Sequence, residues 1–537
     1  MTVFRKLILG SAASFLAIGA AQAADLPVKA KAVEYVRICS LYGAGFYYIP
    51  GTDTCMKIGG YLRVDTTFNG GAHGTPAWSG DLGQQNRFAD DFVSRSRMAL
   101  TVDTRTATEY GVVRTFGQGD FQFNNFGNTN PAGSVGSQTA GLSSSLLSTA
   151  GGGYVAVEFL FIQFAGFTFG KSASAYATPW QGTPGNIDSN LLGGHTTDTG
   201  VNNIQYEAQF GNGISGSIGL DDPTVWNRTA VYNLSIPSAI GANGTGSSAY
   251  GGAVAPDIVG RLRIDQAWGL FQLSGRAHLV NASYNTLAAG AVPNNFSEIS
   301  GHPDSKWGGS VMAALQIKNI PTGKGDDIKI DVSYAKGSTK QVISTSGSSP
   351  NFAMFSDSGF GYQSVGFGAT TDAVYLPGAA GTGGLQLTTA WGVRGAFNHN
   401  WDAFWSTSLF GSYSAIRYDG GANDNINGLG TTTAKGAYCA AFAASHIGQA
   451  AVGNQVGNYT CNPDFNVAQL GVVTRWTPVK NLTFSAEVMW FHLDQKMSGS
   501  FNHVGGASAA PSPKPNALYE FKDQDTFLLQ VRAQRNF

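Results

Sequence analysis

Beyond its opening residues the chain has no apolar run near the roughly 20 residues that a membrane helix requires. A bundle of spanning helices is therefore excluded, while strands, which cross with alternate residues only, are not. Charge is sparse: charged residues make up 12% of the sequence and the formal net charge is -1, so the basic footprint of a nucleic-acid partner is missing. The eight histidines are scattered without metal-ligand spacing. No G-x-S-x-G elbow or phosphate-binding glycine loop stands out, and the many Gly-x-Gly strings read as strand and turn glycines. No cofactor, metal or covalent chemistry is expected. His278 near Ser274 is the one thin catalytic candidate, and a place on an inner wall suits it better. No linker or change in composition divides the 537 residues, so one large repetitive unit is expected.

Cysteine is also scarce, with four in all. Three pairings are possible. The local one, Cys39 with Cys55 and Cys439 with Cys461, closes two short loops and is the one expected, with free thiols as the alternative. An oxidising compartment is implied by the amino-terminus. Arg5 and Lys6 precede the apolar stretch Leu7 to Ala20, and Ala21-Gln22-Ala23 forms an A-x-A cleavage site. Residues 1–23 read as a secretory signal and 24–537 as a single exported domain.

What the chain has in quantity is glycine (72 residues), aromatics (33 Phe, 20 Tyr and 10 Trp) and alternation. Sixteen segments alternate apolar with polar residues between turn signals: 57–68, 91–103, 109–122, 153–165, 167–175, 201–210, 213–221, 257–267, 269–281, 305–319, 325–337, 386–398, 401–416, 465–477, 480–496 and 522–537. The connections alternate strictly. Short ones fall at Thr104–Thr108, Gly166, Gly211–Asn212, Trp268, Ile320–Lys324, Asn400 and Pro478–Val479. Long ones rich in Gly, Ser, Thr, Asn and Pro span 69–90, 123–152, 176–200, 222–256, 282–304, 338–385, 417–464 and 497–521. A soluble sandwich has no reason to alternate its loop lengths. Short turns on one rim and long loops on the other are the outer-membrane pattern. The fold class expected is all-β: a 16-stranded antiparallel transmembrane β-barrel with short periplasmic turns and long extracellular loops. The last segment fits a closing strand, with Phe527, Leu529, Val531, Ala533, Arg535 and Phe537 on one mostly apolar parity and Leu528, Gln530, Arg532, Gln534 and Asn536 on the other, mostly polar one.

The parities also assign the inner face. Ile58, Leu62, Val64 and Phe68 oppose Tyr61, Arg63 and Asp65, and Ile258, Leu262 and Ile264 oppose Arg261, Arg263 and Asp265. Similarly Leu273 and Leu279 oppose Arg276, and Trp391 and Val393 oppose Arg394. An arginine on lipid near the midplane costs about 2–4 kcal/mol, so the charged set faces inward. About sixteen strands leave a lumen too wide to be filled by side chains, hence an aqueous passage. Arg63, Arg95, Arg97 and Arg114 form a basic arc, and the third loop, 176–200, brings Asp188 and Asp198. Folded into the lumen, that loop would narrow the passage and set a transverse field of the kind that governs solute selectivity. Alternatively these arginines only pair with nearby Asp65 or Asp103. The stretch 154–170 is apolar on both parities, so either something folds over its inner face or a neighbouring subunit covers its outer face. Loops 338–385 and 417–464 are expected to be mobile.

The string from Val36 to Arg63, with Cys39, the Tyr42-Gly43-Ala44-Gly45-Phe46 core, Ile49-Pro50-Gly51-Thr52 and Cys55, resembles the opening of the alpha-proteobacterial porin family. The block Phe161-Ile162-Gln163-Phe164-Ala165-Gly166-Phe167-Thr168-Phe169-Gly170 resembles a second block of it. With the terminal Phe537 strand the resemblance covers essentially the whole exported chain. It implies a homotrimeric, sixteen-stranded general-diffusion porin in the bacterial outer membrane with an inward third loop, passing ions and small hydrophilic solutes. Glu158 departs from it, because family members carry arginine there or beside it. A sugar-type selective channel, a plugged structural or adhesin barrel, and a barrel-embedded hydrolase are the alternatives.

Overall fold

The computed structural model describes residues 37–79, 83, 91–124, 153–195, 199–235, 239–241, 243–285, 298, 301–345, 349–356, 363–377, 383–421, 433–446, 458–503 and 517–537. The expected signal segment 1–23 lies outside the described residues.

Sixteen strands form the wall: β1 (Thr54–Phe68), β2 (Phe92–Thr108), β3 (Gly111–Asn124), β4 (Tyr154–Phe164), β5 (Phe167–Ser172), β6 (Val201–Gly211), β7 (Ile214–Asp221), β8 (Asp257–Gln266), β9 (Gly269–Val280), β10 (Lys306–Lys318), β11 (Asp327–Lys336), β12 (Thr389–Asn400), β13 (Trp405–Arg417), β14 (Phe465–Val479), β15 (Leu482–Gln495) and β16 (Gln524–Asn536). Each pairs antiparallel with the next, and β16 returns to β1 with Tyr61 opposite Asn536 and Phe68 opposite Leu529, so no edge is left open. Each expected segment falls on one strand. Several boundaries differ by three residues or more: β1 begins at Thr54, β5 ends at Ser172, and β13 begins at Trp405, so that its turn is Trp401–Phe404 rather than Asn400. β2 runs on to Thr108, so the turn is Glu109–Tyr110 rather than Thr104–Thr108. β12 starts at Thr389 because Leu385–Leu387 pair elsewhere.

Alternation of solvent causes this wall. Ile258, Leu262 and Ile264 of β8 are exposed on the outside, whereas Gln272, Ser274, Arg276 and His278 of β9 are buried on the inside. Outside, an apolar surface meets acyl chains, and exposed Phe92, Trp268, Trp307, Trp401, Trp476 and Phe537 sit toward strand ends as interfacial aromatics do. The double-apolar stretch has a local explanation. A bulge in β4 at Glu158 shifts the register, so that Gln118 faces Phe159 while Gly119 faces Val157. Phe159 and Phe161 thereby turn inward and pack against Phe116, at 6.4 and 5.3 Å between centroids. Val155, Val157, Leu160 and Ile162 stay exposed outside.

The described parts of the long loops form sheets of their own. Phe352–Phe355, Ser364–Gly368, Ala517–Phe521, Ser498–His503 and Asn458–Thr460 make a five-stranded sheet. Helix α1 (Ala434–His446) packs beside it, tied by the Cys439–Cys461 disulfide. A second sheet joins Ala230–Asn233, Thr371–Tyr375 and Leu385–Leu387. Phe355, Phe367, Phe442, Phe501, Tyr519 and Phe521 share a buried core, which continues into Ile416, Phe465, Phe491 and Leu493 at the outer ends of β13, β14 and β15. In the described parts of 338–385 and 417–464, apolar residues are sequestered from water and pack against one another. The other disulfide, Cys39–Cys55, pins a short hairpin (Tyr47–Tyr48 against Cys55–Met56) at the opposite rim.

Candidate functional site: the lumen and its inward loops

The inner wall has two layers. Toward the outer mouth its charges are buried, and toward the turn rim they are only half-buried. Asp65, Arg95, Arg276, Asp331 and Arg394 belong to the first layer, and Arg63, Arg114, Arg261 and Arg263 to the second.

The third loop, in its described residues 173–195 and 199–200, runs inside the barrel. Arg394 is its main anchor. The guanidinium Nε donates to Asp331 at 2.9 Å, while its terminal nitrogens donate to the carbonyls of Leu191 (3.3 Å), Gly182 (3.0 Å) and His195 (2.5 Å). Glu487 of β15 accepts the Ile187 amide at 2.6 Å and the Asp188 amide at 3.3 Å. Gln469 of β14 accepts the Leu192 amide (2.7 Å) and donates to the Asn190 carbonyl (2.9 Å). The loop thus lies against β11, β12, β14 and β15. Asp188 is buried and accepts from Asn186 (2.7 Å) and the Asn190 amide (2.6 Å). Burial pushes its carboxyl up. Asp198 lies outside the described residues. Burial, with Arg394, Arg276 and Lys340 adding to it, pushes His195 down to about 3, so the ring is neutral at pH 7.

The basic arc is compensated along most of its length. Arg95 meets Asp65 at 2.5 Å, and Arg532 joins the same carboxylate. Arg97 meets Asp120 at 2.7 Å and Glu158 at 3.4 Å. Arg114 and Arg105 share Asp103, both at 3.0 Å. Arg114 also lies over Phe116, 5.1 Å from its centroid. Arg63 differs: its Nε donates to Gln534 at 2.8 Å and its guanidinium lies 4.4 Å over Tyr61, and no carboxylate among the described residues pairs with it. Further round the wall Arg261 pairs with Glu207, Arg263 with Asp265 at 3.2 Å, and Arg276 with Asp257.

Nothing in the sequence marks the first long loop, 69–90, as one that turns inward. Residues 69–79 also fold inward, so that the His73 ring takes a hydrogen bond from Arg95 at 2.6 Å and the His73 carbonyl one from Asn190 at 2.8 Å. Burial, reinforced by Arg95 and Arg97, pushes His73 well below its ordinary range. The first loop is thus inserted between the basic arc and the third loop. Small residues in Gly70-Gly71-Ala72-His73-Gly74 permit this approach: a Cβ on Gly74, whose φ is +73°, would stand 2.5 Å from that of Asp188. His278 is held by Asp257 (2.6 Å) and Tyr250 (3.0 Å), whereas Ser274 receives Gln272 (2.9 Å), so the two are not joined as base and nucleophile. Among the described residues no cluster of His, Cys, Asp and Glu could hold a metal ion.

A profile of the porin subfamily matches residues 25–529. Porin Omp2b of Brucella suis is 33% identical over 270 residues, which are 49% of this chain and 64% of that protein. Porin Omp2b of Brucella abortus (strain 2308) is 34% identical over 272 residues, 49% and 63% of the two chains. The chain therefore spans somewhat under two thirds of the length of these relatives. Among solved structures, the outer membrane channel DcaP of Acinetobacter baumannii superposes with a TM-score of 0.52 at 13% identity, covering 91% of this chain and 99% of that one. It shares the fold.

Proposed function

This chain belongs to the porin family, an outer-membrane family, and from that premise we propose that it forms a water-filled channel for passive diffusion of ions and small hydrophilic solutes. One observation carries the reading. The closed barrel is apolar outside, while the inner wall of its turn-side half bears half-buried Arg63, Arg114, Arg261 and Arg263, which water must solvate. Solutes move down their gradients, and the protein supplies a lined path with a narrowing where the first and third loops meet. No bond is made or broken. The residues proposed to line the passage are Arg63, Arg114, Arg261 and Arg263. Asp65, Arg95, Arg97, Arg276 and Arg394 form the buried layer that shapes its narrowing together with Asp188.

Assembly is proposed to be homotrimeric, with the exposed apolar outer face of β4 and β5 against a second copy. Val155, Val157, Leu160, Phe167 and Phe169 supply that face. Liposome swelling with sugars of graded size tests the channel reading. Uptake that falls with solute size without saturating supports it. The absence of swelling with every sugar would refute it in favour of a plugged barrel.

A further inference from the structure

We propose that the turn-side half of the lumen holds a binding subsite for small hydroxylated carboxylates, centred on Arg475. The inference rests on the channel reading and adds a solute class to it. The recess has a volume of about 330 Å³, at the small end of ligand-site sizes of roughly 300–1,000 Å³. Its wall is a contiguous patch of β11 to β14: Asp327 stands opposite Asn398, Asn400 opposite Ser406, and Ser406 opposite Arg475. Its roof is the third loop at Pro184–Gly185. The backbone comes so close there that a Cβ on Gly185 would lie 2.6 Å from both Ala396 and Asn398. Asn398 donates to the Pro184 carbonyl at 3.4 Å and Arg475 to the Gly185 carbonyl.

Arg475 is the group that asks for a ligand. One terminal nitrogen donates to Ser408 at 2.8 Å and the other to Gly185, and no carboxylate among the described residues pairs with it. Glu487, which acts on it electrostatically, is already engaged by the amides of Ile187 and Asp188. The second cation of the recess, Lys329, lies 3.8 Å from Asp327. Asp327 is itself answered by Asn398 at 2.5 Å and by Gln316. The recess therefore offers a guanidinium that no carboxylate among the described residues contacts, beside amides and hydroxyls. Each terminal nitrogen of Arg475 keeps a second N–H, a charged donor that suits a carboxylate, and Asn and Ser side chains match hydroxyl groups. Among the described residues no aromatic ring lines the recess, so stacking with a neutral sugar face is not what it provides.

The test uses the full-length protein in planar bilayers, with gluconate as the probe and glucitol as its uncharged counterpart. Gluconate is expected to interrupt the current saturably, and glucitol is not. Arg475→Gln should raise the half-saturating gluconate concentration about tenfold, the loss expected for a charge-assisted pair in a partly wet site. Arg475→Lys should recover part of it. Asp327→Asn, which frees Lys329, should shift it the other way, and this opposite sign keeps the test decisive should the Arg475 variants fold poorly. An unchanged gluconate response in Arg475→Gln, a weaker one in Asp327→Asn, or equal responses to gluconate and glucitol would overturn the subsite. A channel that conducts salt with strictly linear gluconate dependence removes the subsite alone. A protein that passes neither ions nor sugars removes the channel reading.

Discussion

Arg394→Met separates the third loop from the wall by one substitution. Methionine keeps much of the length but removes the charge and every donor. Two losses follow. Asp331, fully buried, is left without its cation, and unpairing a buried ion costs about 3–5 kcal/mol. The carbonyls of Gly182, Leu191 and His195 also lose their common donor. Hydrogen bonds from a charged donor are worth about 1.5–3 kcal/mol each, but released carbonyls can find water, so about 2 kcal/mol is a fair net value for the loop. That shifts the docked-to-released ratio about 30-fold, at tenfold per 1.4 kcal/mol. The expected outcome is a lower unfolding midpoint and a single-channel conductance that is larger and noisier than the parent's. Arg394→Met with Asp331→Asn distinguishes the two losses. It should regain most of the stability, because no ion is left unpaired, and keep the altered conductance, because the carbonyls still lack a donor. A double variant restored in both respects, or a single variant unstable yet with parental conductance, would refute the assignment of Arg394 as the anchor of the loop.

Acid should loosen the same loop. His195 has its pKa lowered from 6.5 to about 3 on folding, so below pH 6.5 the unfolded chain binds the proton and the folded chain does not. Stability from this residue is complete above pH 6.5 and falls as the pH drops toward 3, by up to about 2 kcal/mol at pH 5. Unfolding midpoints at pH 7.5 and 5 should differ less in His195→Gln, and an unchanged difference would exclude this residue as the cause. Replacing Cys439 and Cys461 by serine removes a bridge across 22 residues and should cost the outer cap about 3 kcal/mol, visible as earlier proteolysis around α1. Equal protease resistance would show that the aromatic core alone suffices. Leu262→Arg places a charge midway along the outer face of β8 and should destabilise the barrel by about 2–4 kcal/mol in lipid vesicles. A neutral effect would mean that this face does not meet the acyl chains.

The barrel is legible because each strand lies between two solvents. Leu262 and Arg263 are neighbours in sequence and face lipid and water, so period 2 is written into the chain wherever the wall stands. The same logic placed Arg63, Arg95, Arg97 and Arg114 on one arc. It could not say which would remain accessible, because that is decided by segments that obey no period. The cap strands Phe352–Phe355 and Ser364–Gly368 are buried at every residue and show no alternation. The parallel contact of Ser364 with Glu520 joins positions that no local pattern relates. Arg475 carried a readable signal, since it shares parity with Gln469 on β14, but its lack of a carboxylate partner depends on where the third loop and Glu487 settle. Glu158 was visible as a departure from the family pattern. The bulge that falls at the same position and turns Phe159 and Phe161 inward belongs to the register with β3.

Asp372 explains how a cap built from remote loops acquires one position on the barrel. Its carboxylate accepts the Thr229 amide at 2.9 Å, the Thr339 amide at 2.7 Å and the Tyr250 hydroxyl at 2.8 Å. Tyr250 meets His278 of β9, whose other nitrogen meets Asp257 of β8, and Asp257 also holds Arg276. Four loop segments are thus referred through one buried carboxylate to two wall strands. Apolar contacts alone would not achieve this, because burial of apolar area is non-directional and tolerates sliding. A buried carboxylate does not, since every donor left behind costs about 1–3 kcal/mol. The aromatic core therefore gives the cap its cohesion, and the polar network fixes where the cap sits above the mouth. The turn-side lumen is left as the half whose charges remain in water.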